Sequence, residues 1–353
     1  MKLTRWMLLI VILLLALPTI AQETSVAESN LPPTTLLNGF TWIHQGTNRC
    51  SAAALSIHLS YYQPVTAETY YALAGRELNT FGADASVRIE EMAAVAQKYG
   101  HGAVVRRGGT IELMKQLLAA GFPILVENSY FEGDDWYHDW LSHNRVLMGY
   151  DENLGEFYFQ DPLLGYPDGK RVAYKYADFD ARWRPFNRDY MVLYHLQDEA
   201  LVQSILGEQW DKTFNANYVL EVSQAEIANG QADNYAYFNL GWAQLQLGMN
   251  EEAAASFEAA LNLGLPMRML WYEFGPFEAY LAVGRYEDVI YLVNQQINVA
   301  GDSISIEEWY YYAGMAYEAM GNRERAMLNY EVAVVRNTNF TEAAERLQNL
   351  RSQ

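Results

Sequence analysis

Two stretches of this sequence repeat one spacing of small and aromatic residues, which restricts the C-terminal half to stacked pairs of helices. In the first, Asn234 to Leu265, the positions are Tyr237, Leu240, Gly241, Gly248, Ala253, Phe257 and Ala260. From Glu307 the same offsets return as Tyr310, Ala313, Gly314, Gly321, Ala326, Tyr330 and Ala333, with Tyr317 between them. A small residue on one helix lets a second approach closely, a glycine turn reverses the chain, and an aromatic on the second helix fills the remaining space. Such a unit cannot bury its apolar face alone, so units must stack. A degenerate third unit begins near Leu270, with Tyr280 and Gly284, but Phe277 stands where the small residue belongs. The three starts lie 36 and 37 residues apart, and a helix over about Asn217 to Asn229 is a candidate cap.

Upstream the period changes. Helical patterns run over Cys50–Tyr62, Val65–Ala74, Ile89–Tyr99 and Ile111–Ala120, the last stopped by Gly121. Alternating or continuous apolar runs predict strands at Ala103–Arg106, Pro123–Glu127, Asn144–Tyr150, Glu156–Gln160 and Tyr190–Tyr194. Helices first and strands second imply an α+β domain rather than a doubly wound sheet. The chain opens with Lys2 and Arg5, the apolar run Trp6 to Leu17, and a small residue at Ala21. That reads as an export signal over 1–21, too short in its apolar part to span a bilayer comfortably. An uncleaved signal would instead tether the chain to a membrane. A polar, Pro-containing spacer is expected over 22–36, an α+β domain over 37–196 and a helical domain over 197–353.

The formal charge is -19, which disfavours nucleic acid and anionic membrane surfaces as partners. Cys50 is the only cysteine and opens a helix, where unsatisfied amides favour a thiolate. Gln45, five residues earlier, can fold back and donate to an oxyanion. His143 supplies a base, and Asp161, fixed before Pro162, a carboxylate to orient it. Thiol, base, acid and amide donor together point to a thiol peptidase, although each alone has a plain reading as a core or strand-end residue. His58 lies more than two turns along the same helix and cannot serve Cys50; His138, among aromatics, is the competitor of His143. Neither a metal nor a cofactor site emerges, since one cysteine and no His-Glu-x-x-His element leave no zinc set.

These residues carry two resemblances. The C-terminal spacing is similar to that of tetratricopeptide repeats. The segment Gln45-x4-Cys50, then His143-x5-Gly149-Tyr150-Asp151, then Asp161-Pro162, resembles papain-like cysteine peptidases related to the bacteriocin-leader (double-glycine) peptidases. The resemblance covers about Leu37 to Leu196. It implies Cys50 as nucleophile, His143 as base, Asp161 as orienting residue and Gln45 as oxyanion donor. Ser51 stands where that family usually has Gly, and Ser142 where a Gly often precedes the histidine. The expected activity is hydrolysis of an amide bond in a peptide or protein by an exported chain. The alternative is a binding scaffold that keeps the peptidase fold without turnover. The repeats either hold a protein partner on their concave face or pack against the first domain.

Overall fold

The computed structural model describes residues 31–80, 86–132, 139–165, 171–300 and 306–352. The export-signal reading and His138 lie outside these residues. The first strand, β1 (Thr34–Leu36), belongs to the segment expected as spacer, and it pairs with the main sheet. Two prolines hide it in the sequence, yet its backbone completes the ladder beside Gly149–Asp151. Helix α1 (Cys50–Ser60) is buried from Ser51 to its end, as befits a helix apolar on nearly every side. Helices α2 (Ala67–Ala72) and α3 (Ile89–Lys98), strand β2 (Gly102–Arg106) and helix α4 (Ile111–Ala119) follow. Then come β3 (Ile124–Glu132), β4 (Asp139–Asp151), β5 (Glu156–Gln160), β6 (Val172–Lys175), α5 (Tyr176–Trp183) and β7 (Tyr190–Tyr194).

The strands form one antiparallel sheet in the order β2-β7-β3-β4-β5-β6, with β1 on the far end of β4. Successive side chains of a strand point to opposite faces. Leu125, Val146, Met191 and Leu193 accordingly join a core with α1 and α3. Ile124, Val126, Leu147 and Val192 join a second core with α4 and α5. Burial on both faces explains why these strands read as continuous apolar runs. β4 extends five residues upstream of the expected Asn144, because β3 pairs with it as far as Glu132–Asp139. His143 therefore lies within a strand and not at its start. β6 and α5 had no counterpart in the sequence reading; α5 buries only Phe179 and Trp183, one turn apart, in an otherwise polar stretch.

Among the described residues the C-terminal half is built of helices: α6 (Glu199–Leu206), α7 (Lys212–Ala228), α8 (Asn234–Gln246), α9 (Asn250–Asn262), α10 (Gly275–Ala282), α11 (Tyr286–Ala300), α12 (Glu307–Ala319), α13 (Arg323–Arg336) and α14 (Thr341–Ser352). The small positions do what their spacing implied. A Cβ on Gly241 would lie 2.9 Å from the Phe257 ring, and one on Gly314 2.5 Å from Tyr330. In the degenerate unit the first helix starts only at Gly275, after a 3-10 turn over Met267–Trp271. Phe277 there stacks on Tyr312 of the next unit, centroids 5.5 Å apart.

The repeats are docked on the sheet domain, so Pro32–Gln353 forms one compact unit. Trp140 and Phe186 of the sheet domain stack on each other and enter the apolar core of the repeats. Arg184 and Arg188 both pair with Glu226 on α7, and buried Arg107 pairs with buried Glu273 at 2.7 Å. We predict that Gly314→Ala, which drives a methyl into the Tyr330 ring, lowers stability by about 1–3 kcal/mol. Urea unfolding should show this as a lower midpoint at unchanged slope.

Candidate active site

Cys50 begins α1, and its N-cap residue, Arg49, makes no side-chain capping bond. The thiol is partly exposed, at the edge of a cavity of about 300 Å³. A larger hollow, about 490 Å³ beside β2 and Trp242, contains none of the predicted site residues.

β4 brings three consecutive polar residues to this edge, all nearly fully buried: His143, Asn144 and Arg145. His143 lines the same cavity as Cys50, close enough to act on the thiol electrostatically, and its Nε2 lies 3.0 Å from Asp161 Oδ1. Nε2 being taken by the carboxylate, Nδ1 is the nitrogen left for the sulfur. Asn144 Nδ2 donates to Cys50 Sγ at 3.7 Å. Arg145 shares a strand face with His143, and its Nε lies 2.8 Å from Asp161 Oδ2. That contact is an ion pair without hydrogen-bond alignment, since neither atom has a directed partner among the described residues. The Arg145 guanidinium also lies over the Tyr174 ring, 4.7 Å from its centroid.

Asp161 is completely buried. Its Oδ1 also accepts from the amides of Leu163 and Leu164, both at 2.8 Å. The same residue organises the loop before α1: Trp42 Nε1 donates to its carbonyl at 2.8 Å, and Gln45 N donates to Pro162 O at 3.0 Å. Gln45 thereby reaches the cavity wall next to Cys50, with an Oε1 that has no partner among the described residues.

The electrostatics follow from these contacts. Burial pushes the Asp161 carboxyl up, but His143, the Arg145 charge and the Leu164 amide together hold it well below the usual range. Burial pulls the His143 imidazole down; its bond to Asp161, the nearby Cys50 thiol and the Asp161 charge overcome this and raise it above its ordinary value. Burial pushes the Cys50 thiol up, and the nearby charged His143 with the Asn144 amide brings it below the ordinary value. A lowered thiol beside a raised imidazole widens the pH range in which thiolate and imidazolium coexist.

Other histidines do different work. His58 is buried in α1 against Pro123 O at 3.0 Å, and burial drives its pKa down to about 3. His101 and His195 pack around Tyr62. Ser51 is buried on the cavity wall, while Ser142 contacts the Glu127 carboxylate through its hydroxyl.

Asn144, Arg145, Glu127 and Tyr272 escaped the sequence reading. The first two adjoin His143, yet only strand register shows which of them meet Cys50 and Asp161. Glu127 faces Asn144 across the β3–β4 ladder. Tyr272 comes from the repeat half, and the irregular start of the degenerate unit was its only signal.

Residues 18–191 match the family described as Peptidase_C39 like family, and residues 235–263 match a tetratricopeptide repeat. One similar solved structure is described as a C39-like peptidase from Bacillus anthracis. It is 17% identical with a TM-score of 0.35, over 46% of this chain and 97% of that one. Another is xylellain, a cysteine protease from Xylella fastidiosa, 15% identical with a TM-score of 0.38, over 47% of this chain and 87% of that one. No curated protein matches the chain.

Because Arg145 and Asp161 are buried together, Arg145→Met should destabilise the fold by about 3 kcal/mol, as breaking a buried pair does. The carboxylate contributes stability above its unfolded pKa of about 3.9, which is lost as pH falls through its lower folded value. Arg145→Met raises that folded value, so acid unfolding followed by circular dichroism should begin at higher pH in the variant.

Proposed function

With an N-terminal domain of the C39-like peptidase family as premise, we propose that the chain is an exported cysteine peptidase that hydrolyses an amide bond in a peptide or protein. The observation that supports this reading is the line Cys50–His143–Asp161, its histidine held by Asp161 at 3.0 Å and sharing a cavity with the thiol. Cys50 Sγ attacks the substrate carbonyl carbon as the thiolate, forming a carbon–sulfur bond and a tetrahedral oxyanion. The Gln45 amide group and the Cys50 backbone N–H donate to that oxyanion. His143, held as imidazolium by Asp161, gives its proton to the leaving nitrogen as the carbon–nitrogen bond breaks. It then takes a proton from water, whose oxygen attacks the thioester and frees Cys50. Asp161 keeps its negative charge throughout and fixes the ring, the role its buried donors suit it for.

Export rests on the basic residues, apolar run and Ala21 at the start of the sequence. The repeats contribute a wall of the cavity through Tyr272, which supports a role in holding substrate on the peptidase domain.

The test is iodoacetamide labelling of Cys50 across pH, in wild type and His143→Ala. The expected result is rapid labelling well below the ordinary thiol pKa of about 8.5, slowed by more than about tenfold at pH 6 in the variant. An ordinary thiol profile, unchanged by the substitution, would move the reading to a binding scaffold.

A further inference from the structure

The cavity at Cys50 does not end at the sheet domain. A second cavity of about 220 Å³ lies along the seam with the repeats, and Glu127 and Tyr272 line both. That second cavity shares Glu90, Arg107 and Trp242 with the larger hollow beside β2. The three cavities form a row, the seam trench, in which each shares lining residues with the next; residues of α7, α8 and the segment from Tyr272 to Glu278 line its repeat side. Tyr272 stands between the first two cavities, on the segment that joins the 3-10 turn to α10. Its ring is braced by Trp140 and Phe186, each with its centroid 6.3 Å away.

The charges along the trench are unevenly matched. Arg107 is spent on Glu273 at 2.7 Å and on the Trp242 ring at 4.6 Å, and Arg88 on Glu91 at 3.3 Å. Glu127 is buried, and its only side-chain partner among the described residues is the Ser142 hydroxyl. Among the described residues it is the one acidic side chain on the wall of the Cys50 cavity, and no described lysine or arginine lines that wall. From this geometry we infer, on the basis of the peptidase reading, that the seam trench binds the substrate chain and that Glu127, beside Tyr272, selects a lysine or arginine side chain. Tyr272 covers the aliphatic stem of such a side chain, while the carboxylate meets its cationic end. In the free protein, burial and the neighbouring Asp189 push Glu127 toward its neutral acid. An arriving cation replaces that proton, so the site carries a buried negative charge only when substrate is there to balance it.

The experiment is a cleavage profile on a chymotryptic digest of a whole proteome, using the purified full chain and its Glu127→Gln variant. New chain ends are read by mass spectrometry on both sides of the cut. The expected wild-type profile favours Lys or Arg at one position near the cut by about tenfold, equivalent to about 1.4 kcal/mol. In Glu127→Gln, which keeps the shape and the bond to Ser142, the preference falls to about twofold or less. Cleavage by wild type with no basic preference overturns this inference and leaves the peptidase reading standing, whether or not the variant folds. A basic preference that survives Glu127→Gln overturns the assignment to Glu127. No cleavage at all by wild type overturns the peptidase reading and the inference with it.

Discussion

A carboxylate with no access to water must meet donors or cations or give up its charge, and in Asp161 one oxygen meets donors and the other the Arg145 cation. His143, two backbone amides and the Arg145 cation converge on its two oxygens, and its carbonyl and the next residue's anchor Trp42 and Gln45. One buried anion thus fixes the imidazole, the strand that carries it and the loop that leads to Cys50. The charge on Asp161 raises His143, and the raised His143 lowers Cys50. Remove the anion and the thiol loses its reason to ionise.

The second constraint is the docking of the repeats. A short repeat array has apolar ends and faces to cover, and here the sheet domain covers one of them with Trp140 and Phe186. The array therefore packs against the sheet domain at this surface. That packing is also what brings Tyr272 and Glu273 to the sheet domain. The degenerate unit departs from the repeat pattern where it meets the cavity, as expected where local regularity yields to a site.

Much of this was legible in the sequence because a few residue types carry it. With one cysteine and six histidines, the candidates for thiol and base were few, and Cys50, His143 and Asp161 do converge. Gly241 and Gly314 announced their aromatic partners by a fixed offset, a purely local signal. Arg145 and Asn144 stayed hidden because their roles depend on which strand face meets α1 and which meets Asp161. β1 was hidden because three residues behind two prolines have no period, and only the ladder with β4 makes them a strand. Tyr272 lies far from Cys50 in the chain, and no pattern in either half could place it at the cavity.

The claim on which the rest stands is that Cys50 is ionised by its pairing with His143 and Asp161. With one cysteine in the chain, the difference in ultraviolet absorbance between wild type and Cys50→Ser during a pH titration reads that thiolate alone, because the tyrosines common to both cancel. The account predicts about one thiolate per chain at mildly acid pH, well below the ordinary thiol value of about 8.5. A thiolate signal that emerges only near or above that ordinary value would contradict it.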